Sequence, residues 1–455
     1  MKDSGAPWLG EVPAHWELKR SKTLIRERVQ KGFPDQPLLA ATQTKGVVRK
    51  DQYENRTVLA MKDLHLLKLV RINDFVISLR SFQGGIEYAR EQGIISPAYT
   101  ILYPVRPATH GYLACLFKSR PYIENLSLHV TGIREGQNID YERLARAELP
   151  FPPLPEQAAI VRFLDHVDRQ IRRYISAKQK LIKLLEEQKQ AIIHRAVTRG
   201  LDPNVRLKPS GVDWLGDVPE HWAVLPLCAV ARPRKVTKPG NHELLSVYLG
   251  QGVIPFSAVA EKRTNPTSED LSKYQVVEPG DFVLNNQQAW RGSVGVSRYG
   301  GIVSPAYLVL ALDKRLDRQF ADRLLSDRAM VSQYLVCSKG VGSIQRNLYW
   351  PHLRRAATLV PPLREQAEIV RFLETSMASL AKAIARTAQD VELLREYRTR
   401  LIADVVTGRH DVREAAARLP DEADEPEPLD EAEVLTDTED ALTEDLDAEF
   451  VDAEA

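Results

Sequence analysis

Asn285-Asn286-Gln287-Gln288-Ala289-Trp290-Arg291-Gly292-Ser293 is a dense run of side chains with paired hydrogen-bond donors and acceptors. Amides of Asn and Gln match the exposed edge of adenine, and Arg or Lys that of guanine. An earlier stretch, Ser78-Leu79-Arg80-Ser81-Phe82-Gln83-Gly84-Gly85, has the same layout: polar groups, an aromatic, an Arg, and small residues that let backbone approach closely. Each follows an apolar run that reads as a strand, so each is either a base-facing loop or a polar turn. A third segment, Ser338-Lys339-Gly340-Val341-Gly342-Ser343-Ile344-Gln345-Arg346-Asn347, mixes glycine with Lys, Ser and Gln, a combination suited to phosphate contact. Its counterpart is Thr131-Gly132-Ile133-Arg134-Glu135-Gly136-Gln137-Asn138. Lys45, Arg49 and Lys50 are weaker cationic candidates. The expected contact set is Lys45, Arg49, Arg80, Ser81, Gln83, Asn286, Gln287, Gln288, Arg291, Ser293, Lys339, Ser343, Gln345 and Arg346.

The chain offers little catalysis of its own. No Gly-Lys dipeptide occurs, which removes a phosphate-cradling Walker loop. Asn-Pro-Pro-Tyr, Asp-Pro-Pro-Tyr and Gly-x-Gly-x-x-Gly are also missing. Cys115, Cys228 and Cys337 are scattered and odd in number, which fits a reducing cytoplasm rather than a disulfide or zinc framework. No apolar run suits a membrane helix, and no apolar stretch follows the N-terminal charges as a signal peptide would.

Net charge is +1, but of the 61 acidic residues 17 lie in 421–455, where Lys and Arg are absent. That leaves 44 acids against 62 Lys and Arg over 1–420, an excess of 18 suited to a polyanion. Residues 409–455 read as an acidic disordered tail, either a solubility tail or a charge mimic of DNA.

The elements that position these segments are written twice. Trp8-Leu9-Gly10-Glu11-Val12-Pro13-Ala14-His15-Trp16 recurs as Trp214-Leu215-Gly216-Asp217-Val218-Pro219-Glu220-His221-Trp222, at an offset of 206. Ile94-Ile95-Ser96-Pro97-Ala98-Tyr99 recurs as Ile302-Val303-Ser304-Pro305-Ala306-Tyr307, at 208. Pro152-Pro153-Leu154-Pro155-Glu156-Gln157 recurs as Pro361-Pro362-Leu363-Arg364-Glu365-Gln366, at 209. Two units of one fold follow. Their interiors diverge, most clearly 30–70 against 235–275, as two sites of different specificity would.

Short alternating apolar runs with frequent Gly and Pro predict strand-rich α+β domains over 1–153 and 207–362. Pro belongs in a helix's first turn, so long helices are expected from near Pro155 and Arg364, covering 154–200 and 363–408, with 201–206 as linker. Ile160, Leu164, Val167, Ile171, Tyr174, Leu181, Leu185 and Ile192 form a heptad seam, as do Ile369, Leu373, Leu380, Ile384, Val391, Leu394, Leu401 and Val405. The two should pair as an antiparallel coiled coil. His15 and His221, each beside a Trp, read as packed and hydrogen-bonded rather than catalytic. Asp74 and Asp281, each before Phe-Val, read as turn residues entering a strand rather than metal ligands.

The doubled Trp-Leu-Gly-x-Val-Pro-x-His-Trp and Pro-Pro-Leu-x-Glu-Gln-x-x-Ile-Val-x-Phe-Leu motifs resemble the specificity subunits of type I restriction-modification enzymes, over residues 1 to about 410. The resemblance implies two target-recognition domains held apart by an antiparallel helix pair. Each domain would read half of a bipartite, asymmetric site in double-stranded DNA. The helix pair would set the unread gap and dock two methyltransferase subunits. S-adenosylmethionine, ATP and Mg²⁺ would belong to those and to the motor-endonuclease subunits, and this chain would hold no cofactor or metal. A Mg²⁺-dependent nuclease and a sequence-blind coiled-coil scaffold are the competing classes.

Overall fold

The antiparallel ladder Glu17–Arg20 with Glu148–Phe151 ties the start of the first unit to the residues just before its long helix; Ala223–Pro226 with Ala357–Val360 does the same in the second. The computed structural model describes residues 1–43, 45–52, 63–79, 81–131, 138–139, 141–213, 215–237, 242–258, 271–341 and 345–420. One compact unit is Met1–Lys180 with Ala388–Ala455, the other Leu181–Thr387. Each therefore contains part of both long helices.

The units share their sheets strand for strand. In the first, the antiparallel order is Ile25–Glu27, Thr100–Pro104, Phe75–Ile77, Glu87–Tyr88; in the second it is Ala231–Pro233, Tyr307–Leu312, Asp281–Asn285, Val294–Val296. A hairpin, Leu39–Thr42 with Gly46–Arg49, matches Leu245–Tyr248 with Gly252–Pro255. The large core of the first unit is built on Trp16, Phe75, Phe117 and Tyr122, that of the second on Trp222, Phe282, Phe320 and Tyr334. A smaller core lies under each hairpin: Leu39, Val47, Val70, Val76, Ile95 and Ile101, matched by Leu245, Val247, Val253, Val277, Val283, Val303 and Val309.

Asp74 and Asp281 are turn residues entering their strands. Asp74 accepts from the backbone N–H of Arg71 at 2.8 Å and takes Arg28 in a two-pronged pair at 2.8 and 3.1 Å. Asp281 accepts from Glu278 N–H at 2.8 Å and pairs with Arg234 at 2.7 Å. Both carboxylates are buried, so the paired guanidinium offsets their desolvation. In the second unit burial still leaves the Asp281 pKa above its usual value.

The long helices are Leu154–Arg199 and Leu363–Val406, and Gly200 (φ +73°) and Gly408 (φ +78°) lie just past their ends in the left-handed conformation that glycine tolerates. Within the first unit they run antiparallel: Lys178 meets Asp390 at 2.6 Å, and ten residues earlier Asp168 meets Arg398, eight residues later. The seam there is Ile171, Ile175 and Val391, with Val167 and Leu394 against it. Tyr174 and Leu181, expected in it, are 62% and 43% exposed. The buried positions Ile160 and Ile171, and Leu164 and Ile175, are eleven apart. That spacing suits a nearly straight helix, whereas a strict heptad would put Tyr174 inside.

The expected disordered tail also needs correction at its start. Residues 409–420 are ordered: Arg413–Ala417 is a short helix, Val412 and Ala416 are buried, and Arg162 donates to the carbonyls of Leu419 and Pro420. Residues 421–455 lie outside the described residues.

Candidate nucleic-acid interface

The recurring motifs meet in one cluster per unit. Trp16 Nε1 donates to Glu156 Oε1 at 2.9 Å, and His15 Nε2 lies 2.8 Å from Glu156 Oε2. In the second unit Trp222 Nε1 and His221 Nε2 both meet Glu365 Oε2, at 3.0 and 2.8 Å. The glutamate sits in the first turn of its helix, where exposed backbone N–H groups favour negative charge. The next residue closes the turn: Gln157 donates to Pro152 O and Gln366 to Pro361 O, both at 2.8 Å. Gly408 packs against Pro13 and Trp16, and Gly200 against Trp222 and Glu365. These histidines hold structure, and the cluster fixes each β-rich body to its helix ends.

The base-reading candidates gather elsewhere, along one edge of each unit. In the second, Asn285 ends its strand and Gln287 N–H bonds back to Asn285 Oδ1 at 3.0 Å, closing a turn. The one-turn helix Ala289–Arg291 follows, with Gly292 at φ +100°. Gln287 and Arg291 are exposed, and the Arg291 guanidinium lies over the Trp290 ring at 4.6 Å. Trp290 Nε1 donates to Gln287 O, which fixes the platform. Ser293 Oγ donates to Val247 O at 2.9 Å, tying the loop to hairpin 245–255. Leu348 N–H donates to Asn286 O, tying it to the hairpin Ser338–Val341 with Gln345–Leu348. Exposed Lys339 is on that hairpin; Arg346 is half-buried.

In the first unit the equivalent turn is the helix Ser81–Gly84, with Gln83 exposed. Lys118, which the sequence did not single out, joins it to the hairpin: Nζ donates to Gln43 O, Gly84 O and Glu87 Oε1, the last at 2.6 Å. Burial pushes the Glu87 carboxyl up to about 7 against the pull of Lys118. The exposed hairpin tips differ: Gln43 and Lys45 in one unit, Leu249, Gly250 and Gln251 in the other.

Two expected contacts are corrected. Ser81 is 1% exposed and its Oγ accepts from Ser78 N–H; Ser293 is 4% exposed and bonded as above. Both hydroxyls shape their loops and face inward. Arg49 is committed to Asp51 through two bonds, at 3.1 and 2.6 Å. The third segment pairs as a hairpin, Ser338–Val341 with Gln345–Leu348. Arg80, Ser343 and 132–137 lie outside the described residues, as does any placement of the Gln345 side chain.

Burial pushes the Cys115 thiol up to about 12, which removes it as a nucleophile. Among the described residues no three His, Cys, Asp or Glu gather as metal ligands, and no helix is long and apolar enough to cross a membrane.

No protein-family profile matches the chain. Two proteins of Methanocaldococcus jannaschii align with most of it. One, provisionally named the MjaX type I restriction enzyme specificity subunit, is 22% identical over 399 residues, covering 80% of this chain and 88% of that protein. The other, the type I restriction enzyme MjaVIII specificity subunit, is 22% identical over 359 residues, covering 75% and 80%. A solved chain from a study of complex assembly and conformational transition of the type I restriction-modification system has a TM-score of 0.60 at 16% identity, over 88% of this chain and 100% of that one. That structural likeness speaks for the fold. The two alignments, with the duplicated units, make this chain similar to the specificity subunits of type I restriction-modification systems.

Proposed function

We propose that the chain is the DNA-reading subunit of a type I restriction-modification complex, and that each unit reads one half of a bipartite, asymmetric site. One observation carries this: two units with the same strands and the same Trp–His–Glu cluster present different polar chemistry at the same edge. Gln287, Gln288 and Arg291 are the proposed base or phosphate contacts of the second unit, Gln83 and Lys45 those of the first. Asn286, Lys339, Gln345 and Arg346 flank them. The long helices set the unread gap and dock two methyltransferase subunits. Those subunits and the motor-endonuclease subunits bring S-adenosylmethionine, ATP and Mg²⁺; this chain catalyses nothing and works in the cytoplasm.

The test is methylation mapping by long-read sequencing in cells that express the chain with its methyltransferase partner. An adenine-methylated bipartite motif is expected. Replacing residues 17–150 by the equivalent domain of a relative should change one half of that motif. A change in both halves, or methylation without a bipartite motif, refutes the reading.

A further inference from the structure

One place in the fold is filled in the first unit and open in the second. Asn73 and Gly280 hold the same turn, at φ +71° and +100°, just ahead of Asp74 and Asp281. In the strand pairings Tyr88 stands opposite Phe75, and Val296 opposite Phe282. The helices His110–Phe117 and Arg318–Leu325 are both eight residues long and start at His110 and Arg318. Asn73, Tyr88 and His110 of the first unit therefore correspond to Gly280, Val296 and Arg318 of the second.

In the first unit the three close on one another. The Tyr88 ring stacks on the His110 imidazole, with centroids 5.9 Å apart and planes 4° from parallel, and its hydroxyl donates to Asn73 Oδ1. In the second unit valine removes the ring and glycine removes the acceptor. A pocket of about 320 Å³ is left, lined by buried Val296, Val370 and Leu373 and by exposed Arg298, Arg318 and Arg323. That volume is at the low end of the range for small-molecule sites. Arg318 lies close over the Gly280 backbone, where a Cβ would sit 2.5 Å from its Nε. Among the described residues none of the three guanidiniums has a hydrogen-bond or ion-pair partner. The two acids of the pocket are engaged: Asp322 Oδ1 accepts from Val296 N–H at 2.9 Å, and Glu374 Oε1 lies 3.5 Å from Gln319 Nε2. The pocket lies at the start of strand Asp281–Asn285, whereas the candidate reading loop follows its end, roughly 13 Å along the strand.

We propose that this pocket of the second unit binds a small aromatic anion. A planar ring takes the place that the Tyr88 ring fills in the first unit and stacks on Arg318, while a phosphate or carboxylate is held by Arg298 and Arg323. A guanidinium suits both parts, since it stacks on ring faces and grips an anion with two parallel bonds. The site is separate from base reading and does not rest on it.

Adenosine monophosphate and phenyl phosphate are the probes, titrated calorimetrically into the full-length chain. Both should bind one to one. Adenosine and inorganic phosphate each lack one of the two contacts and should bind at least about tenfold more weakly. Hydrogen exchange should show adenosine monophosphate protecting 279–282 and 318–323 while 72–90 and 110–117 stay unchanged. Gly280→Asn, Val296→Tyr and Arg318→His together rebuild the filled arrangement of the first unit and should abolish binding. Arg298→Gln with Arg323→Gln leaves the pocket open and should lower affinity for both phosphates about tenfold. Four results overturn the proposal: no binding up to about 10 mM, equal affinity for inorganic phosphate, unchanged affinity in the Arg298→Gln, Arg323→Gln chain, or protection confined to 285–293.

Discussion

Glu156→Ala should loosen the first unit where its β-rich body joins the long helix. Glu156 is 7% exposed and Trp16 1%, so the Trp16 Nε1–H that now donates at 2.9 Å would face no acceptor and little water. A buried donor left unpaired costs about 1–3 kcal/mol. Loss of a carboxylate from the first helical turn adds about 0.3–1 kcal/mol. Together these give about 2–3 kcal/mol, roughly a 30- to 150-fold increase in local opening. Glu156→Gln keeps a carbonyl for the Trp16 N–H and should cost about half as much. Glu365→Ala should cost less than Glu156→Ala, near 1–2 kcal/mol, because the Glu365 side chain is 24% exposed and water can replace it. Hydrogen exchange read by mass spectrometry is the assay, since it reports local opening in each unit separately. Amides of 11–20 and 148–160 should lose protection in Glu156→Ala while 215–230 stay unchanged. Unaltered exchange in 11–20 would refute the account of the cluster.

Gly408→Ala should destabilise the first unit more than Gly5→Ala. Both positions have positive φ and pay about 1–2 kcal/mol for it, but a Cβ at 408 would sit 2.4 Å from the Pro13 ring and one at 5 has nothing within 4 Å; equal unfolding midpoints would dismiss the close approach. Glu87 gives a pH signature. Its folded pKa of about 7 lies above the ordinary 4.5, so the folded unit keeps a proton that the unfolded chain releases. Stability from this group therefore falls as pH rises from about 4.5 to about 7, and the penalty is complete above that window. Glu87→Gln should flatten that dependence, and urea midpoints that track the parent at pH 5 and pH 8 would exclude it. Arg291→Ala, in the assembled methyltransferase complex, should weaken binding to all duplexes and lower the salt slope by about one, if the guanidinium grips phosphate. Gln288→Ala should instead cost about 1–3 kcal/mol at one base pair of one half-site. Wild-type affinity, specificity and salt slope in both would place the loop away from DNA.

The duplication was the most readable feature of the sequence because it survives in short runs of unlike chemistry: two Pro-Pro-Leu entries, two Trp-Leu-Gly openings. Proline geometry put the helix starts within one residue of Leu154 and Leu363. Spacing could not show that these runs touch. His15, Trp16 and Glu156 all stand in the recurring motifs, yet their bonds span 140 and 141 positions and depend on the ladder Glu17–Arg20 with Glu148–Phe151. Tyr174 was misplaced because heptad and eleven-residue spacings diverge only after three turns. Ser81 and Ser293 looked like contacts because side-chain type does not reveal direction. Lys118 was invisible because its three acceptors come from the hairpin, the turn and a neighbouring strand.

The arrangement explains how two units can keep one frame and present different chemistry at their loops. The cluster around Glu156 or Glu365 belongs to the large core, with the helix ends. The hairpins 39–49 and 245–255 rest on separate small cores whose apolar positions match at offsets of 206 to 208: Leu39 with Leu245, Val47 with Val253, Val76 with Val283, Ile101 with Val309. A substitution at an exposed tip, such as Lys45 against Gln251, alters neither core and so costs little stability. The tips are nevertheless held in place, by Lys118 in one unit and Ser293 in the other. Both anchors attach through backbone carbonyls, at Gln43 O and Val247 O; exposed Gln43 can vary without loss of its anchor, whereas the Val247 side chain belongs to the small core. Loop chemistry can therefore change while loop position stays fixed, which is what the proposed reading of two different half-sites requires.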